Sequence, residues 1–328
     1  MQGSLMLDID GTYLTAADRH LLRQPEVCGV ILFARNIEHP QQVRQLCQAI
    51  RAVRSDLLIG VDQEGGRVQR LRQGFVALPA MGRLLEAAHP EQLAEECGWL
   101  MAWEVLSVGI DFSFAPVLDL NYGRSAVIGL RSFAADADTV VRLAGAFLQG
   151  MHAAGMPAVG KHFPGHGWVT ADSHVDIPVD ERSFAQINQA DLQPFKRLKH
   201  QLAGMMPAHV IYPQVDSAPA GFSKIWLQDI LRQQLGYTGV LFSDDLSMAG
   251  AHVAGDAAQR TLAALSAGCN VGLLCNDRAA AELALSRLQV QQVRPCRQLS
   301  VMQGRRIAQH DFQQHPRWQS ARQALNVI

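Results

Sequence analysis

Eight short, nearly continuous apolar runs recur along the chain, and their spacing limits its fold more than any other feature. They are SLMLDI (4–9), CGVILF (28–33), LLIGVD (57–62), DFSFAPV (111–117), MPAVGKH (156–162), GMMPAHV (204–210), GVLFSDD (239–245) and NVGLLCN (270–276). A strand that is apolar on both faces is covered on both, as in a parallel sheet clothed by helices. The segments between the runs supply those helices. PQQVRQLCQAIRAVR, EQLAEECGWLMAWEVLSVG, DTVVRLAGAFLQGMHAAG and SKIWLQDILRQQLG repeat apolar residues at i, i+3 and i+4. The last begins at Ser223, a good N-cap, and stops at Gly236, a good residue for a left-handed helix end. The alternation predicts an α/β fold, a (β/α)8 TIM barrel forming one domain over residues 1–328. The arginine-rich segment 277–328 is expected as a C-terminal helical tail packed on that barrel. The competing arrangement, an open doubly wound sheet, lacks the GxGxxG turn after its first strand that a nucleotide site would use.

Polar residues gather at one end of these runs. Asp8 and Asp10, Arg35 and Asn36, Asp62 and Glu64, Asp119, Lys161 and His162, His209, Asp244 and Asp245, and Asn276 all stand at or just beyond C-terminal ends. In a barrel those ends share one mouth, where active sites are assembled. A functional site is therefore expected there.

Charge excludes some partners. With 29 basic and 30 acidic residues the formal net charge is −1, which offers no electrostatic surface for nucleic acid or anionic lipid. No basic segment followed by an apolar stretch opens the sequence, and no uncharged apolar run of about 18 residues occurs, so neither a signal peptide nor a membrane span is expected. The six cysteines follow no framework spacing and form no CxxC pair. Reduced, mostly buried thiols in a cytoplasmic protein are the expectation.

The stretch GKHFPGHGWVTADSHVD (160–176) needs its own reading. The loop it opens, about 163–180, is longer than the usual βα connection of about 2–6 residues, and long glycine-bearing loops at a barrel mouth commonly act as lids. A zinc site built from His162, His166, Asp172 and His174 is one reading, although no HxH or HExxH pair holds such ligands on a rigid element. Histidines satisfied by backbone groups in a tight turn are a second, favoured for His166. An Asp-x-His dyad, Asp172 and His174, is the third, because a carboxylate can fix an imidazole's tautomer and raise its basicity.

KHFPGHG followed by DSH, together with VDQEGGRVQR (61–70), APVLDL (115–120), MPAHVIY (206–212) and FSDDLSM (242–248), resembles the bacterial β-N-acetylglucosaminidases of glycoside hydrolase family 3. The resemblance runs from the first strand to about residue 275, in the family's order. It implies that Asp244 is a nucleophile forming a covalent glycosyl-enzyme, as in retaining glycosidases. It implies that His174, oriented by Asp172, is the acid/base in place of a second carboxyl group. Asp62 then accepts hydrogen bonds from sugar hydroxyls, and Arg70, Arg131, Lys161 and His162 make the other sugar contacts. Gly65 and Gly66 are expected to let the backbone turn tightly near the ligand. Asp245, next to the nucleophile in a strand, is expected to point away and serve structure. One departure is visible: Leu130 stands where the family leads us to expect glutamate, which removes a carboxylate partner for Arg131 or the loop.

The resemblance further implies hydrolysis of terminal, non-reducing β-1,4-linked N-acetylglucosamine with net retention. The implied substrates are cytosolic peptidoglycan fragments, N-acetylglucosamine on 1,6-anhydro-N-acetylmuramic acid with or without peptide. No metal or organic cofactor, no nucleic acid and no membrane are called for, and a monomer is expected. Because an imidazole repels phosphate less than a carboxylate would, phosphorolysis to a sugar 1-phosphate is the rival within this reading. A metal-dependent barrel hydrolase and an inactive sugar-binding protein are the more distant ones.

Overall fold

The computed structural model describes residues 3–170, 177–291, 297–307 and 312–325. Each apolar run coincides with a parallel strand: β1 Leu5–Leu7, β2 Val27–Leu32, β3 Leu58–Val61, β4 Phe112–Ser113, β5 Val159–Phe163, β6 Gly204–Pro207, β7 Val240–Asp245 and β8 Val271–Leu274. Neighbours in sequence are neighbours in the sheet from β1 to β4 and from β5 to β8, and β8 returns to β1. The remaining seam, β4 against β5, is closed by a parallel bridge between Val117 and Lys161. There the Lys161 N–H donates to Pro116 O (3.1 Å) and the Leu118 N–H donates to Lys161 O (2.7 Å). The ring is a (β/α)8 barrel, as the runs predict.

Around it lie α1 Ala16–Leu22, α2 Pro40–Val53, α3 Pro90–Ser107, α4 Ala137–Ala154, α5 Phe184–Gln189, α6 Leu192–Leu198, α7 Ala257–Ala267, α8 Arg278–Gln291 and α9 Pro316–Ala324. Local chemistry sets their ends. Asp136 caps α4 by accepting from the Thr139 N–H, and Gly155 ends it with φ +91°, a conformation that suits glycine. The segment after Ser223 is helical with its expected cap, since Ser223 Oγ accepts from the Trp226 N–H at 3.0 Å. Its body, Ile225–Gln234, is wound as a π-helix rather than the α-helix its periodicity suggests.

Inside the barrel the rings of Phe112, Phe114 and Phe242 meet at centroid distances of 5.0, 5.6 and 5.4 Å, all three fully buried. Gly60 on β3 leaves them room, because a Cβ there would come within 3.1 Å of both Phe112 and Phe114. Burial rather than oxidation explains the cysteines: Cys28, Cys47, Cys97, Cys269 and Cys275 are buried and in no disulfide among the described residues, while Cys296 lies outside them.

The C-terminal segments dock in two places. Leu299 and Met302 are fully buried, and Met302 Sδ approaches Gly204 at the start of β6, under the barrel. Farther on, the chain lies on α3. The Trp103 indole donates to Phe312 O (3.1 Å), and the Trp318 indole donates to Glu104 Oε1 (2.8 Å). Glu104 also accepts from the Val76 N–H at 3.2 Å, so one buried carboxyl joins a loop, a helix and the tail. Burial pushes this carboxyl up to about 8 from 4.5. The folded protein therefore keeps a proton that the unfolded chain releases near pH 4.5, so this group's stabilisation is complete below that pH and is lost as pH rises through about 8. Comparing wild type with Glu104→Gln from pH 5 to 8, we expect wild-type stability to fall relative to the variant by on the order of a few kcal/mol. Parallel curves from denaturant titrations would refute the assignment.

Candidate active site

A cavity of about 370 Å³ opens at the C-terminal ends of the strands. β3 and the hairpin that follows it (Gln63–Gly65 with Val68–Gln69) contribute Asp62, Glu64, Arg67 and Arg70. The segment after β4 contributes Arg131, β5 contributes Lys161 and His162, and β7 contributes Asp244. Gly65 and Gly66 have φ of +112° and +56°, and a Cβ on either would collide with the 79–80 backbone or Ala80. The tight turn expected at these glycines is thus present, and it carries Arg67 to the cavity wall.

The floor is ionic and dry. Lys161, 3 % exposed, donates to Asp62 Oδ1 at 2.8 Å and pairs with Glu64 Oε1 at 2.6 Å. Arg131 grips the Glu64 carboxylate with two parallel bonds of 2.8 Å, the strong bidentate form. Arg70 reaches within 3.9 Å of Asp62 Oδ2. Burial alone would raise the Glu64 carboxyl, but the charges and hydrogen bonds of Arg131 and Lys161 outweigh it and hold the group well below the usual carboxylate range. Burial would likewise lower Lys161, yet Asp62 and Glu64 keep it above its ordinary value, so it stays an ammonium. The result is a rigid array of fixed charges.

A second arrangement orients the histidines. Asp119, fully buried, accepts from the His162 and His166 backbone N–H groups (3.2 and 2.7 Å) and lies 2.7 Å from His162 Nδ1. Burial favours its neutral form, but His162 and His166 draw it below the usual range. With Nδ1 held by Asp119, His162 has Nε2 left for other partners. The Lys161–His162 peptide is cis, and both side chains line the cavity. His166, expected as a turn histidine, lines it too, and burial lowers its proton affinity.

On β7 the expectation that Asp245 turns away from the cavity needs correction, while its structural role stands. The pairing register with β8 shifts between Phe242 and Asp245, so simple alternation fails, and Asp244 and Asp245 both border the cavity. Asp245 is distinguished by its bonds instead. Its carboxylate accepts from Ser247 N and Oγ (3.0 and 2.8 Å) and Cys275 N (3.2 Å), which ties it to its own turn and the end of β8. Burial raises it to about 6.

Six residues singled out from sequence converge here: Asp62, Arg70, Arg131, Lys161, His162 and Asp244. Asp172 and His174 lie outside the described residues. Among the described residues no group of three histidine, cysteine or carboxylate side chains is arranged to hold a metal. The lost partner inferred from Leu130 has a replacement, since Leu130 is exposed while Arg131 is held by Glu64 and Val127 O. Glu64 and Asp119 are the residues to which sequence reading assigned no role. Their only signal was a place at the ends of β3 and β4.

A closed parallel barrel whose C-terminal mouth holds a buried array of matched charges defines a barrel enzyme for a small polar substrate. Residues 6–300 match the model of the glycosyl hydrolase family 3 N terminal domain, and the chain belongs to that family. It is 65 % identical over 327 residues to a β-hexosaminidase of Pseudomonas aeruginosa, covering 100 % of this chain and 98 % of the relative. A β-hexosaminidase of Methylobacillus flagellatus is 56 % identical over 294 residues, 87 % of this chain and 84 % of the other. The crystal structure of NagZ from Neisseria gonorrhoeae in complex with N-trifluoroacetyl-D-glucosamine superposes with a TM-score of 0.91 at 40 % identity, over 99 % of this chain and 98 % of that one. The chain is a glycoside hydrolase, and these relatives place it with the β-N-acetylhexosaminidases. Among the described residues no helix is long and apolar enough to cross a membrane.

Proposed function

We propose that this enzyme is a retaining exo-β-N-acetylglucosaminidase. It removes terminal, non-reducing β-1,4-linked N-acetylglucosamine from cytosolic peptidoglycan fragments, chiefly N-acetylglucosamine on 1,6-anhydro-N-acetylmuramic acid with or without peptide. The observation that supports this most is the convergence on one cavity of Asp244 with the Asp62–Lys161–Glu64–Arg131 array. Sugar hydroxyls and an acetamide need both donors and acceptors at fixed positions, and this array offers both without rearrangement. The solved relative bound to an N-acylated glucosamine supports the choice of sugar.

In the proposed mechanism an Asp244 oxygen attacks C1 of the sugar. The C1–O bond to the leaving group breaks, and its electron pair goes to the leaving oxygen, which takes a proton from His174. Water then attacks C1, giving a proton back to His174, as the bond to Asp244 breaks. Two inversions leave the anomeric configuration unchanged. Asp172 orients His174 and stabilises its charged form. Asp62, Arg70, Arg131, Lys161 and His162 hold the sugar.

Turnover of β-N-acetylglucosaminides with graded leaving groups tests this assignment. His174→Ala is expected to slow substrates with poor leaving groups by about 10²-fold or more, and activated aryl glycosides far less. Equal slowing of both would take His174 out of the acid role.

A further inference from the structure

His209, in the stretch MPAHVIY, has no part in the proposed mechanism, yet it lies against the end of β7. It stands just past β6 and is fully buried, its ring nearly parallel to that of Phe222 with centroids 5.4 Å apart. Nε2 is 3.2 Å from Asp245 O, while Nδ1 has no hydrogen-bond partner among the described residues. A carbonyl oxygen only accepts, so the ring proton belongs on Nε2 and the histidine donates. Burial lowers the proton affinity of this imidazole. The Asp244 charge and the carbonyls of Asp245 and Asp244 oppose that without overcoming it, and Arg260 adds to the lowering. His209 is therefore a neutral donor, set behind the cavity rather than in its wall.

What it holds is the main chain beside the proposed nucleophile. The Asp245 N–H donates to Asp244 Oδ1 at 2.8 Å, which ties that carboxylate to its own backbone. The direction of the carboxylate thus depends on where residue 245 sits. Ladder pairing between β6 and β7 ends at Met205 and Leu241, and the pairing with β8 shifts register before Asp245. Asp245 O receives one bond from its own turn, from the Met248 N–H at 3.1 Å, and one from His209 across on the β6 side. The imidazole takes over where the ladder stops.

We infer that His209 is a positioning residue for the nucleophile, holding the Asp244 carboxylate in its attacking direction through the main chain of Asp245. The inference rests on the proposed role of Asp244. A neutral donor does this without bringing a cation against the carboxylate, which would stabilise its charge and blunt its attack. A reacting atom misplaced by about 1 Å costs about 10²-fold in rate.

The test uses a fluorinated N-acetylglucosaminide that traps the glycosyl-enzyme, with the labelling rate measured at saturation and N-acetylglucosamine affinity by calorimetry. His209→Phe keeps a ring against Phe222 and removes the donor, and Asp245 O keeps its bond from Met248. Labelling of this variant is expected to be about 10²-fold slower than in wild type, with sugar affinity changed little. His209→Gln, whose amide nitrogen can stand where Nε2 was, should recover most of the rate. Should the phenylalanine variant not fold, His209→Asn, whose amide is too short to reach the carbonyl, replaces it with the same expectation. Labelling at the wild-type rate without the donor would overturn the inference. So would an affinity that falls in step with the rate, or a glutamine variant no faster than the donorless one. A wild-type label on a carboxylate other than Asp244 would instead strike the proposed nucleophile, and this positioning role with it.

Discussion

Asp244→Asn is expected to lower turnover by about 10⁴-fold or more, with the protein still folded and still binding sugar. Asparagine has nearly the same shape, so the cavity wall at the end of β7 survives. What it lacks is the anionic oxygen able to form a bond to C1. Sugar binding should persist because the charges that define the floor belong to Asp62, Glu64, Lys161 and Arg131. Two measurements check this. Steady-state hydrolysis of a chromogenic N-acetylglucosaminide should show the loss in kcat, with N-acetylglucosamine affinity by calorimetry changed little. A fluorinated N-acetylglucosaminide that traps the intermediate, followed by peptide mapping, should label wild type at Asp244. A label on another carboxylate, or turnover by the variant within about tenfold of wild type, would take away the covalent step.

Glu64→Gln should cost about 3–5 kcal/mol of stability, as breaking a buried ion pair does. Glu64 is 3 % exposed and holds two cations, Lys161 at 2.6 Å and Arg131 at 2.8 Å. Without its charge those cations face each other across the floor with Asp62 as their remaining close acid, and water cannot enter freely to solvate them. The same loss frees Arg131 from its bidentate grip, so kcat/KM should fall as well, although Glu64 is assigned no bond to substrate. Denaturant midpoints and kcat/KM on one aryl substrate test both effects. A variant as stable as wild type would mean that the charge array does not hold the floor together.

Much of this was legible from the order of residues. Strands covered on both faces must be apolar throughout, so the runs announced themselves, and a closed ring then brought all their C-terminal ends to one mouth. Asp62, Lys161 and Asp244, singled out by their motifs, all line the cavity. Glu64 and Asp119 were less legible because each acts on another side chain, and the pairs Glu64–Arg131 and Asp119–His162 span 67 and 43 residues. Nothing local marks a carboxylate as the partner of so distant a group. Asp245 keeps the structural role expected of it, but its place at the cavity border was not legible, because the alternation rule assumes regular pairing and β7 shifts register at that point. The π winding of Ile225–Gln234 escaped for a similar reason: apolar periodicity reports which face is buried and not which carbonyl each N–H selects.

The three phenylalanines packed edge-on and tilted inside the barrel have one more consequence. Phe112, Phe114 and Phe242 make a plug, and Phe114 is also a wall of the cavity above it. The pocket is thus a blind well, and a saccharide can be threaded into it but not through it. Under the proposed function only the tip of a chain would enter such a well, and cleavage one residue at a time would then rest on three aromatic rings that never touch the reacting bond.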